Sequence, residues 1–324
     1  MATIDEKEQV LGERQEPLHL GMVFVPGGTF LMGSDAFYPE EKPVHQVEVE
    51  SFWMDQCTVT NREFERFVTA TGYVTVAERP LDPMTYPGVS PELLIPGSLL
   101  FKQPRHRVDL NDPKKWWEYV RGTDWRHPEG AGSSTKGRQN YPVVHIAFED
   151  AEAYAKWVGK SLPTETEWEF AARGGIEGAI YPWGNDFTPK GEIMANTWQG
   201  EFPWQNLALD GYERASPVGS FPPNGYGLYD MAGNVWEWTG DWWEENHLGN
   251  TRTCCSPRNL ESPASLNSYD PSQPEIRIPR KVLKGGSFLC APNYCMRYRP
   301  AARIPEMIDT STNHLGFRCV IRKR

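Results

Sequence analysis

Past Gly174 the chain offers no stretch both long and periodic enough for a convincing helix, so that part must fold as short strands and turns. Glycine and proline impose this limit, at 29 and 28 residues in a chain of 324. Core volume comes in large pieces instead, from 13 Trp, 14 Phe and 13 Tyr. Helical signals are confined to residues 60–173. Thr60 and Glu63 make a capping-box pattern, Phe64, Phe67 and Val68 share one face, and Gly72 stops the helix. Phe148–Val158 carries Ala151, Tyr154, Ala155 and Val158 on one face, with Gly159 behind it. Thr164 and Glu167 repeat the capping box for a third helix ending at Arg173, striped by Trp168, Ala171 and Ala172.

Before these helices, Met22–Ser34 bends at Pro26-Gly27-Gly28 and predicts a β-hairpin, and Val44–Phe52 alternates as a half-exposed strand does. Helices followed by a loop-rich remainder give an α+β class in one domain, residues 21–324, behind a loose tail over residues 1–20. Residues 78–140 are rich in Pro, Gly and charge and hold Trp116, Trp117 and Trp125. A loop that long is either functional or a solvated insertion. Leu248–Arg280, rich in Ser, Pro and Asn, predicts a surface insertion.

The net charge of −10 argues against nucleic acid and against an anionic membrane surface as partners. No apolar run reaches membrane-spanning length, and the charged N-terminus lacks the apolar segment of a secretory signal. A soluble, cytoplasmic protein is expected.

The cysteines narrow the chemistry. Cys290 and Cys295 stand in KGGSFLCAPNYCMRYRPAAR (residues 284–303), with Pro292-Asn293 between them. A continuous strand would send them to opposite faces, but a Pro-Asn turn can bring the sulfurs together. Close thiols have three active readings: a disulfide, a soft-metal site, or a nucleophile with a resolving partner. Two buried structural cysteines are the plain alternative. Arg297, Arg299 and Arg303 add positive charge, which favours a thiolate. Zinc would want four N or S ligands; only His314 lies close in sequence, so no such set is complete.

Further motifs accompany this stretch: LGFRC (315–319), NGYGLYDMAGNVWEWTGDWW (224–243), NTWQGEFPWQN (196–206), KSLPTETEWEFAARGG (160–175) and MVFVPGGTFLMGS (22–34). Together they resemble the formylglycine-generating enzymes of the sulfatase-modifying factor family, bacterial aerobic copper-dependent type, from about Gly21 to Arg324. The resemblance implies an elaborated C-type-lectin-like fold, with residues 78–140 helping to line a substrate groove. Secreted members carry structural disulfides. The matching positions here are Ala155, Ala172 and Pro300, with only Cys319 retained, which fits a reducing compartment. Cys57 and the Cys254-Cys255 pair have no role assigned by the resemblance.

The implied activity is O2-dependent oxidation of a cysteine to Cα-formylglycine. The substrate is a C-x-P-x-R motif of type I sulfatases, in a nascent or unfolded polypeptide. Cys290 and Cys295 would hold Cu(I), with the substrate cysteine as a third thiolate; two thiolates without further ligands suit that soft ion. An older reading makes the pair a redox disulfide. Ser287 is expected at the reacting atoms or as a turn-stabilising residue, and Trp236 at the pocket wall or as plain core. Tyr294 and Arg299 are expected to contact substrate backbone, and Arg303 there or in a buried ion pair.

The resemblance also implies two structural Ca2+ ions. Asn196, Thr197, Asp210 and Tyr212 match one ligand set, and Asp230, Gly233, Val235 and Glu237 the other, with backbone carbonyls from Thr197, Tyr212, Gly233 and Val235. On spacing alone, turn-forming Asx residues explain both stretches as well. Two rivals differ in function. A sulfoxide-synthase-like iron enzyme would need a His-x3-His-x-Glu pattern, which none of the seven histidines makes. A non-catalytic binding module on the same scaffold would lack the cysteine pair.

Overall fold

The first two strands do not pair with each other. In the computed structural model, which describes residues 19–91, 94–245, 265 and 267–323, β1 (Met22–Val25) and β2 (Gly28–Met32) both pair with the later stretch. That stretch is itself two strands, β3 (His45–Val49) and β4 (Phe52–Asp55). Gly28 faces Val49 and Val25 faces Phe52, so the arms form one long antiparallel ribbon with a bend in each. The predicted hairpin within residues 22–34 is therefore corrected. Gly27, at φ +65°, explains the bend: a Cβ there would lie 2.6 Å from Ser51 N and Val49 O. Only glycine allows that backbone approach.

The helices form where the capping patterns and the apolar face of residues 148–158 place them. They are α1 (Asn61–Thr71), α2 (Phe148–Trp157) and α3 (Glu165–Arg173). Thr60 N donates to Glu63 Oε2 at 2.8 Å and Glu63 N to Thr60 Oγ1 at 3.4 Å. The α3 box is tighter, at 2.7 and 3.1 Å. Orphan amides of the first turn are thus satisfied locally, worth about 1 kcal/mol per cap. Gly72 and Gly174 end α1 and α3 in left-handed conformations.

Residues 78–140 contain an antiparallel pair that alternation did not reveal, β5 (Gly97–Phe101) with β6 (Trp117–Arg121). β5 is buried on both faces, so its apolar residues do not alternate. The remaining strands are β7 (Trp236–Trp242), β8 (Arg280–Lys284), β9 (Arg303–Met307), β10 (Leu315–Gly316) and β11 (Val320–Arg322). They build a sheet in the order β10-β7-β8-β9, and β11 joins β4 in a sheet ordered β1-β4-β11.

Three apolar clusters form the core. The largest joins α1, α2 and β7 to Cys290, Cys295 and Tyr298. The second packs α3 against the first ribbon. The third sets Phe101 and Trp116 over Trp198, Phe202, Phe288 and Ala291. Residues 78–140 thus cover the cysteine stretch. Cys319 is a free thiol, fully buried. Residues 1–18 of the expected tail, Cys254-Cys255 and much of Leu248–Arg280 lie outside the described residues. Among the described residues, no helix is long and apolar enough to cross a membrane.

Candidate active site

Cys290 and Cys295 meet because the chain between them turns back. Tyr294 N and Cys295 N both donate to Ala291 O, at 3.0 and 2.8 Å, with Pro292 and Asn293 on the outside of the turn. The Sγ atoms lie 2.9 Å apart, beyond the about 2.05 Å of a disulfide. Both thiols are free and buried. They are not equivalent. Burial, and then the neighbouring sulfur, push the Cys290 thiol up. Cys295 is drawn down to about 7, first by the hydrogen bond from Cys290 and then, against burial, by the Arg297 guanidinium. The pair therefore takes its first negative charge on Cys295.

Of the three arginines expected to supply positive charge, only Arg297 acts on the thiols; it also pairs with Glu40 and lies 4.0 Å from the Tyr38 ring. Arg299 is corrected. It is 1% exposed, binds both carboxylate oxygens of Glu41, and sits 3.7 Å from the Phe37 ring. A guanidinium so committed has no reach toward a peptide. Arg303 is a buried ion-pair partner, 2.7 and 3.0 Å from the Glu165 carboxylate.

The glycines before the cysteines set the entry to the turn. Gly286 has φ +72°, and a Cβ on it would lie 2.9 Å from Arg297 O and Tyr298 N. The outgoing chain can run against this backbone only if the residue is glycine. Ser287 follows, fully buried; its carbonyl accepts from Cys290 N at 2.9 Å and its Oγ from Leu289 N at 3.2 Å. Ser287 Oγ also meets His314 Nδ1 at 2.9 Å. These contacts stabilise the turn that leads into Cys290. Trp236, 3% exposed, packs in the cluster that contains both cysteines.

An aromatic ledge leads from this turn to the surface. Tyr294 is 42% exposed and stacks on Phe202 at 4.4 Å, and both rings meet Trp116 at about 5.5 Å. Asn293 and Phe202 exchange two hydrogen bonds of 3.2 Å, which locks the ledge to the cysteine turn. Sequence reasoning named Trp116 only as part of residues 78–140 and His314 only as a nearby histidine that completes no zinc set, and gave Phe202 no role. Their partners are distant in sequence, and only the resemblance of NTWQGEFPWQN touched one of them.

The two acidic and amide-rich stretches lie next to each other, with Asn234 N donating to Asn196 O at 2.8 Å. In the first, Asn196 Oδ1 is buried without a hydrogen-bond partner. Gln199 Nε2 bridges Thr197 O and Asp210 Oδ2, so these two acceptors converge on one point. Tyr212 N donates to Asp210 Oδ1 at 2.9 Å. In the second, Asp230 Oδ2 accepts from Gly219 N at 2.8 Å, and burial raises Asp230 to about 6. Gly233 N donates to Gly285 O at 2.9 Å, and Val235 is buried. Glu237 is committed to Arg318 through both oxygens at 2.7 Å, and to Trp168 Nε1 at 2.8 Å. Of the two sets, the first holds the buried acceptor without a partner. Among the described residues, no three His, Cys, Asp or Glu side chains converge as a metal site.

This architecture has relatives. The family description "Sulfatase-modifying factor enzyme 1-like domain" matches residues 7–323. The chain belongs to the sulfatase-modifying factor family. It is 52% identical over 301 residues to the formylglycine-generating enzyme of Mycobacterium tuberculosis, covering 92% of this chain and 97% of that protein. It is 38% identical to the mouse "Inactive C-alpha-formylglycine-generating enzyme 2", over 95% of this chain and 87% of that one. Relatives over most of the chain thus include proteins named formylglycine-generating enzyme and proteins named inactive. Among solved structures, PvdO from Pseudomonas aeruginosa shares the fold with a TM-score of 0.61 at 26% identity, over 93% of this chain and 94% of that one. The expected α+β, C-type-lectin-like family fold is borne out.

Proposed function

We propose that this chain oxidises a peptide cysteine to Cα-formylglycine. The substrate is a C-x-P-x-R segment of an unfolded or nascent type I sulfatase, O2 is the oxidant, and Cu(I) is held by Cys290 and Cys295. The observation that carries the reading is the pair of free, buried thiols 2.9 Å apart at the foot of an exposed aromatic ledge. Relatives named formylglycine-generating enzyme support the reaction class. The donors fit a soft ion of low coordination: two sulfurs, with too few neighbours for zinc among the described residues. When bound, such an ion supplies the one-electron chemistry towards O2 that a thiol alone lacks.

The remaining chemistry belongs to the chain. Cys295 ionises first, and Arg297 stabilises its charge. The buried turn excludes water from both sulfurs. Tyr294 offers an apolar face and a hydroxyl to an incoming backbone. Reconstituted protein, incubated with a C-x-P-x-R peptide, O2 and a thiol reductant that supplies the two further electrons O2 needs to reach water, should convert the thiol to an aldehyde, with the sulfur leaving as sulfide, detectable by mass spectrometry. Full reconstitution without any aldehyde would refute the activity.

Two structural Ca2+ ions complete the proposal. The unpartnered Asn196 Oδ1 and the convergence of Thr197 O and Asp210 Oδ2 support the first site. The carbonyls of Tyr212, Gly233 and Val235, with Asp230 and a Glu237 shared with Arg318, would serve as further ligands. Ion binding to the native state alone adds about 2.7 kcal/mol at a hundredfold excess over Kd. EGTA should therefore lower the melting temperature, and Asp210→Ala should remove one increment of that shift. An unchanged melting curve, with metal analysis finding no calcium, would refute the ions.

A further inference from the structure

We infer that His314 is the positioning residue of Ser287, holding its hydroxyl in the orientation that the cysteine pair requires. This rests on the proposed oxidation for its consequence, though not for its geometry. Ser287 Oγ already accepts from Leu289 N at 3.2 Å. Its second contact is His314 Nδ1 at 2.9 Å. The serine is fully buried, so these two groups set where its hydrogen and remaining lone pair point.

His314 is itself held from several sides. Leu99 N and Ser98 Oγ both donate to Ser311 O, at 3.2 and 2.7 Å, and Phe101 N donates to Asn313 Oδ1 at 3.2 Å. Trp236 N donates to His314 O at 2.8 Å. Trp117 from β6 lies 4.9 Å from the imidazole, centroid to centroid. The β5–β6 pair thus clamps residues 311–314 and seats a ring on the histidine. Burial, with a smaller contribution from His145, lowers the imidazole to about 3. A ring that stays neutral at working pH is a poor proton acceptor for a thiol, so the histidine orients Ser287 and does not act as a general base. One tautomer gives Ser287 O–H to Nδ1 and turns an oxygen lone pair to the site; the other frees the hydroxyl to donate.

The test pairs spectroscopy with kinetics. The 15N signals of the His314 ring, recorded in wild type and Ser287→Ala, should shift on loss of the hydroxyl; unchanged signals overturn the pairing. His314→Leu should lower kcat on the peptide about tenfold or more with KM little changed, and should be no worse when combined with Ser287→Ala. His314→Asn, whose amide stands near the Nδ1 position, should recover most of the loss. Wild-type kcat in His314→Leu, or losses that add in the double variant, overturns the role. If His314→Leu fails to fold, equal kcat losses in His314→Phe and Ser287→Ala decide the same point. If wild type turns over no peptide, the proposed function fails by itself, and the ring-nitrogen shift still decides whether His314 holds Ser287.

Discussion

Cys290→Ser and Cys295→Ser should each lower peptide-cysteine oxidation on the order of a thousandfold or more while the fold survives. Serine is nearly isosteric, but its hydroxyl stays protonated at neutral pH and is a poor donor to a soft ion. Folding should tolerate either change. Both positions are buried, and an unpaired hydroxyl there would cost about 1–3 kcal/mol. The facing sulfur, 2.9 Å away, offers that hydroxyl a partner. The double variant should be about as damaged as either single one, because groups acting as a unit are non-additive. The same short separation also suits a reversible disulfide, since little motion would bond the sulfurs. Copper depletion separates the two. A redox pair keeps its activity in strictly depleted protein, whereas a copper site loses it and regains it with one equivalent of Cu(I). Full activity in depleted wild type would refute the metal, and full activity in either serine variant would refute the site.

What could be read from the sequence was what is local. Thr60–Glu63 and Thr164–Glu167 satisfy amides within one turn, so their three-residue spacing names the helix start. The Cys290–Cys295 turn spans only six residues, and Pro292-Asn293 marks it. Pairing over distance left weaker signs. β5 is buried on both faces and shows no alternation, so the wall over the cysteines looked like loop. Gly27 carries the approach to Val49–Ser51 in its backbone, and a Pro-Gly-Gly bend reads equally as a simple hairpin. Arg299 stands in a basic run that suggested a contact to substrate, yet Glu41, 258 residues away, takes both of its terminal nitrogens. His314 has its partner Ser287 at a separation of 27 residues and belongs to no metal spacing. Chemistry carried by a turn was legible, and chemistry carried by a tertiary ion pair was not.

Glu169→Gln should destabilise the fold by about 3–5 kcal/mol at neutral pH, the usual cost of leaving buried cations without their carboxylate. Glu169 lies fully buried on α3. Its Oε1 accepts from Gly33 N at 2.8 Å and Arg173 Nη2 at 2.7 Å, and its Oε2 from Lys284 Nζ at 3.0 Å. Burial alone would raise this carboxyl, but Lys284, Arg173 and the Gly33 amide outweigh it and lower it from 4.5 to about 2. A depressed carboxyl stabilises the fold above its unfolded pKa, and the contribution drains as pH falls from about 4.5 towards 2. Asp150 and Glu306, raised to about 7 by burial, act in the opposite sense, so the comparison must be wild type against variant. Urea midpoints measured from pH 7 down to 3 should show a gap that is widest at neutral pH and narrows below about 4.5. A gap of constant width to pH 3 would show that the charge on Glu169 is not what stabilises. The loss should reach the site as well, because Lys284 is the last residue of β8 and leads directly into Gly285-Gly286-Ser287. With its carboxylate neutralised, the ion pair left to Lys284 is the longer 3.7 Å contact to Glu165. The entry to the cysteine turn loses its anchor to α3, and folded variant should therefore oxidise peptide more slowly than folded wild type.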